Sequence, residues 1–106
     1  MITIEQFKSV ELKVGRILSV TEHPNADRLY VVEVDLGAER RTVVAGIRKF
    51  YTPDQLVGKL VIVAANLELA TIRGVASNGM LLAAHDAERL SVLTVDTPLQ
   101  LGSLVS

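Results

Sequence analysis

The stretch Thr52-Pro53-Asp54-Gln55-Leu56-Val57-Gly58-Lys59-Leu60-Val61-Ile62-Val63-Ala64-Ala65 sets a helix signal directly against a strand signal. Thr52 suits an N-cap, and Pro53 fits the first helical position, where its missing N–H leaves no bond unmade. Gly58 ends the short helix. The apolar run from Leu60 to Ala65 has the length of a buried strand rather than of an ordinary helix. The place of this one helix in the element order decides the architecture.

Upstream, residues 29–36 alternate Val32, Val34 and Leu36 with Glu33 and Asp35, Gly37-Ala38-Glu39 can turn the chain, and residues 40–45 return as a third strand. The series His23-Pro24-Asn25-Ala26-Asp27 supplies turn formers. Before it, Leu12, Val14, Ile17 and Val20 mark a first strand, with a slip at Gly15 that predicts a bulge. Thr3-Ile4-Glu5-Gln6 has the form of a capping box. It predicts an opening helix to about Val10, with Phe7 in the core.

Downstream, residues 66–80 read Asn66-Leu67-Glu68-Leu69-Ala70-Thr71-Ile72-Arg73-Gly74-Val75-Ala76-Ser77-Asn78-Gly79-Met80 and interrupt two apolar runs with polar groups. The runs at 60–65 and 80–84 can be buried, so the segment between them is expected at the surface, where loops on a rigid sheet carry binding residues. A fifth strand should begin near Gly79, and a further short one should span residues 90–94. The order strand, strand, strand, helix, strand, strand is that of an OB-fold, an all-β, five-stranded, partly open barrel with its helix between strands three and four. The tail after residue 80 carries Leu90, Val92, Leu93, Val95, Leu99, Leu101, Leu104 and Val105, too many apolar side chains to leave in water.

A chain of 106 residues is one domain, 1–106, large enough for a core without covalent staples. With no cysteine, disulfides and thiolate metal sites are excluded. Neither a leader peptide nor an apolar run of the roughly 20 residues that span a bilayer is present, so a soluble, cytoplasmic protein is expected. Met1 and the ending at Ser106 favour a free-standing protein over a domain cut from a longer enzyme. The net charge of −1 argues against strong non-specific hold on a polyanion. Residues 1–80 nevertheless hold ten of the eleven Lys and Arg, against nine Asp and Glu.

Catalytic constellations are missing. His23 and His85 lie in different loops without zinc-ligand spacing, and His23 before a proline reads as a turn residue. No phosphate-cradling glycine loop and no Gly-x-Ser-x-Gly elbow occur, and Glu33 with Asp35 reads as a solvated face. An enzyme is not expected, nor is a cofactor or a metal. Base stacking on aromatic platforms is also a poor fit, because of Phe7, Tyr30, Phe50 and Tyr51 at most two rings should be free. Arg28 beside the 25–27 turn, Arg73, Ser77 and Asn78 remain. In an OB-fold the first-second and fourth-fifth strand loops flank one face, so these can meet there: arginine to grip phosphate, Ser77 and Asn78 to bond ribose or phosphate oxygens. Arg28 should then lie within about 25 Å of Ser77, across one barrel mouth.

The pattern Val14-Gly15-Arg16-Ile17, Asn25-Ala26-Asp27-Arg28-Leu29, Val34-Asp35-Leu36-Gly37, residues 41–47, Tyr51-Thr52-Pro53, Asn66-Leu67 and Ser77-x-Gly79-Met80 resembles the tRNA-binding domain family appended to or partnered with methionyl-tRNA synthetases. The resemblance covers nearly the whole chain. It implies an OB-fold homodimer that binds tRNA by shape at the outer corner of the L, with the C-terminal segment at the dimer interface and a synthetase catalytic chain as a further partner. It also implies tRNA contact at Arg28, Ser77 and Met80, with Asn66 and Arg73 nearby.

One departure stands out. Where many relatives carry a Lys-Pro-Arg-Lys type run, this chain has Glu68-Leu69-Ala70-Thr71. Each lost phosphate contact lowers the salt slope by roughly one unit, so weak affinity is expected for the isolated domain. Two alternatives stay open: a CsaA-like chaperone or export-related dimer of the same fold, and an assembly module that docks a synthetase without touching RNA.

Overall fold

In the computed structural model, which describes residues 1–106, the capping box forms as its sequence dictates: the Gln6 N–H donates to Thr3 Oγ1 at 3.1 Å, and the Thr3 N–H to Gln6 Oε1 at 2.8 Å. Helix α1 (Ile4–Lys8) is shorter than the sequence predicts and buries none of its residues. Phe7, expected in the core, is 44% exposed, because it lines an open groove and not the barrel interior.

Strands β1 (Leu12–Glu22), β2 (Tyr30–Asp35) and β3 (Arg40–Ala45) form an antiparallel meander, with Val32 opposite both Val20 and Val43. The bulge lies at Leu18, between the pairs Ile17↔Val34 and Ser19↔Glu33, and not at Gly15. Gly15 serves close packing instead: a Cβ there would meet Val34 Cγ1 at 2.5 Å and Leu36 Cδ2 at 2.8 Å. Helix α2 (Pro53–Leu56) starts after Thr52 and drives Leu56, fully buried, into the core beside Ile17, Val32, Val43 and Val61.

Strand β4 (Leu60–Ala64) pairs with the first half of β1. The polar stretch that follows is not a loop throughout. It folds into a hairpin of β5 (Ala70–Ile72) and β6 (Val75–Ser77), turned by Arg73 and Gly74 alone. Both turn residues have positive φ, 54° and 92°, as the tight hairpin turn with two left-handed residues requires. Strand β7 (Met80–Leu81) then pairs with β4, giving the order β3-β2-β1-β4-β7. The seam between the sheet ends is closed by the Val44 N–H donating to Ser77 Oγ at 2.9 Å and the Asn78 N–H to the Thr42 carbonyl at 2.7 Å. Five antiparallel strands thus make the nearly closed barrel of an OB-like fold.

Of the run at 80–84, Leu81 is buried whereas Met80, at its start, is 49% exposed. Strands β8 (Ala83–His85) and β9 (Leu90–Val92) make a hairpin beyond the barrel. Tyr51 bolts it down by accepting the Val92 N–H at 3.0 Å, while Tyr30 donates to the Tyr51 carbonyl at 2.7 Å. The tyrosines are therefore internal struts, and the rings left exposed are those of Phe7 and Phe50. The tail crosses so close to Gly37 that a Cβ there would lie 2.6 Å from the Leu101 carbonyl oxygen, and it then returns as β10 (Leu104–Val105), which pairs with Leu12 and Lys13 of β1. Its backbone is used within its own barrel, yet Leu99 and Leu104 stay 51% and 69% exposed.

Candidate nucleic-acid interface

The β1–β2 loop and the β5–β6 hairpin meet tip to side. Asn25 Nδ2 donates to the Arg73 carbonyl at 3.2 Å, and the Arg73 guanidinium donates back to the Asn25 carbonyl at 3.3 Å. Arg28, Asp27 and Arg73 line one groove together with Ala26 and Leu29. Neither arginine forms a salt bridge, whereas Arg41, Arg48 and Arg89 are paired with Glu39, Glu22 and Asp86. Two exposed arginines from distant loops thus share one groove with Asp27, neither in a salt bridge.

The surface continues past this groove. The Arg48 N–H reaches the Arg28 carbonyl at 3.4 Å, so exposed Lys49 follows directly on a residue bonded to the β1–β2 loop. Gly46 lies against Leu29 and also lines an apolar groove with Ile47 and Met80. Arg28 and Arg73 line one groove, and Met80 lines another with Gly46 and Ile47. Lys49 is one of the basic residues of the sequence but not one of its expected contacts. Its signal was the Gly46-Ile47-Arg48-Lys49 exit from β3, which must run beside the β1–β2 loop because Tyr30 pairs with Ala45.

The other expected contacts take different places. Ser77 is 3% exposed; its hydroxyl accepts from the Val44 N–H and donates to the Gly79 carbonyl at 3.2 Å, so it closes the barrel and offers no free oxygen to a ligand. Asn78 Oδ1 accepts from the Arg41 guanidinium at 3.2 Å, and that guanidinium also reaches the Ala65 carbonyl at 2.7 Å. Asn66 accepts the Glu11 N–H at 2.8 Å and donates to the Ser9 carbonyl at 2.7 Å, fastening the N-terminal arm at the end of β1 opposite to Arg28. Arg28 stands three residues before Val31, which faces Val44, the partner of Ser77. At about 3.3 Å per residue and 4.8 Å between strands, Arg28 lies within roughly 20 Å of Ser77, inside the expected span.

The family described as "Putative tRNA binding domain" matches residues 12–104. The chain belongs to this tRNA-binding domain family. Among curated relatives of the family, methionine–tRNA ligase of Pyrococcus furiosus is 49% identical over 104 residues, covering 98% of this chain and 14% of the relative. The corresponding ligase of Thermotoga maritima is 45% identical, covering 99% of this chain and 17% of its own length. The chain thus spans only a small part of these enzymes. A solved structure, the MetRS related protein from Pyrococcus horikoshii, superposes with a TM-score of 0.93 at 29% identity, covering 100% of this chain and 98% of that one. This tRNA-binding domain is therefore related both to synthetase-borne domains and to a protein of nearly its own size. No helix in it is long and apolar enough to cross a membrane.

Proposed function

We propose that the domain binds folded tRNA by backbone and shape, at the outer corner of the L, with Arg28 and Arg73 as the phosphate-gripping pair and Lys49 and Met80 extending the surface. The observation that carries this reading is the shared groove of two unpaired arginines from separate loops. Arginine presents a planar fork of donors that suits phosphate oxygens. With both tyrosines committed to internal bonds, stacking on bases has little to work with, so little dependence on sequence follows. A handful of contacts and a net charge of −1 make the affinity of one domain weak.

Duplication strengthens such binding without new contacts. The apolar groove between α1 and β10, where Ile4, Phe7, Val10, Leu104 and Val105 lie open, supports a homodimer in which a second copy covers this face. The cytoplasmic partners are tRNA and the catalytic chain of methionyl-tRNA synthetase, to which the domain is an accessory in cis or in trans.

Charge reversal at Arg28 and Arg73 tests the site. The double variant Arg28→Glu/Arg73→Glu should lose at least roughly tenfold in tRNA affinity, with fold and self-association intact. Wild-type affinity in that variant would refute the assignment. Retained holding of unfolded peptide by a chain that never binds tRNA would favour the chaperone reading. The solved CsaA chaperone of Picrophilus torridus, with a TM-score of 0.92 at 25% identity, keeps that reading in view.

A further inference from the structure

His23 is 4% exposed, and both of its ring nitrogens are engaged. The Asn25 N–H lies 3.0 Å from Nδ1 and can only donate, so Nδ1 is the acceptor and the ring proton sits on Nε2. Nε2 therefore donates to the Ile72 carbonyl at 2.9 Å, across from the first loop to the last residue of β5. Ile72 immediately precedes the Arg73-Gly74 turn. A two-stranded ribbon with only three residue pairs is marginal by itself and needs an outside hold.

We propose that His23 is a positioning residue: it straps the β5–β6 hairpin to the Asn25 turn and so fixes where Arg73 stands relative to Arg28. Its Nδ1 bond to a backbone N–H two residues on shapes the turn that presents Asn25, and Asn25 then clasps Arg73 from its other side. The strap itself is the Nε2–H bond to Ile72. The consequence for binding rests on the tRNA reading above; the strap does not.

Two conservative variants separate the bonds. His23→Asn keeps a short acceptor for the Asn25 N–H but cannot reach Ile72, whereas His23→Gln keeps a donor at the reach of Nε2. In His23→Asn, the amides of Ile72 and Val75 should exchange with solvent roughly tenfold faster, as the loss of one net hydrogen bond implies, while those of Val32, Val43 and Val61 stay protected. His23→Gln should restore the hairpin amides. In tRNA titrations, His23→Asn should weaken binding about as far as Arg73→Asn, and the two together should be no worse than either alone. Unchanged exchange at Ile72 and Val75, loss of protection throughout the barrel, or additive binding losses would each overturn the proposal. If the wild-type domain binds no tRNA, the site reading fails and the exchange measurement alone decides the strap.

Discussion

Ser77 Oγ accepts the Val44 N–H at 2.9 Å, and this hydroxyl, together with the Asn78 N–H bond to the Thr42 carbonyl, joins the two ends of the sheet. Removing it leaves the buried Val44 N–H unpaired. Ser77→Ala should therefore cost about 1–3 kcal/mol in urea unfolding, or about 4–8 °C in Tm for each kcal/mol in a domain of this size. A variant as stable as wild type that nevertheless binds no tRNA would return Ser77 to the role of a direct contact.

Arg73 holds φ at 54°, a left-handed conformation that asparagine adopts far more readily. Strain of this kind tends to collect at functional positions. Arg73→Asn should leave Tm unchanged or raise it slightly, yet reduce the salt slope of tRNA binding by roughly one unit. Falling stability together with an unchanged slope would mean that the arginine is there for the hairpin and not for the ligand.

Gly58 and Gly79 form a natural control pair. Both have positive φ, 86° and 127°, but a Cβ on Gly58 would meet nothing, whereas one on Gly79 would lie 3.0 Å from the Ala64 carbonyl oxygen. Alanine at Gly58 should cost about 1 kcal/mol for conformation alone. Alanine at Gly79 should cost more, about 1–3 kcal/mol, and should disturb the β4–β7 pairing next to Met80. Equal losses in thermal melts would show that close packing at Gly79 is unimportant.

Leu104 is 69% exposed on a strand whose backbone is already paired with β1. Leu104→Asp should convert a dimer into monomers in sedimentation experiments while the monomer keeps its circular dichroism. A wild-type domain that sediments as a monomer at micromolar concentration would contradict the proposed use of this face.

Much of the barrel was legible in the sequence because strand periodicity and caps are local signals. The Thr3 capping box, the Pro53 helix start and the third strand at 40–45 all appear where the residues place them. What escaped depends on contacts between distant residues. Asn66, Ser77 and Asn78 are polar and sit among turn formers, which reads as surface, but their partners at Glu11, Val44 and Arg41 lie far along the chain. The β5–β6 hairpin was hidden because arginine is an unusual first residue for its turn. Phe7 reads as core because no local pattern says that a helix will line an open groove. Of the expected contacts, Arg28 and Arg73 line one groove and Met80 lines another, and all three side chains are exposed.

The most direct measurement is a titration of the wild-type domain with a folded tRNA and with an unstructured RNA of equal length, at two salt concentrations. The folded molecule should bind at least roughly tenfold more tightly, and its affinity should fall steeply as salt rises. Equal binding of the unstructured strand, or tight binding insensitive to salt, would contradict a cationic surface that reads the shape of tRNA.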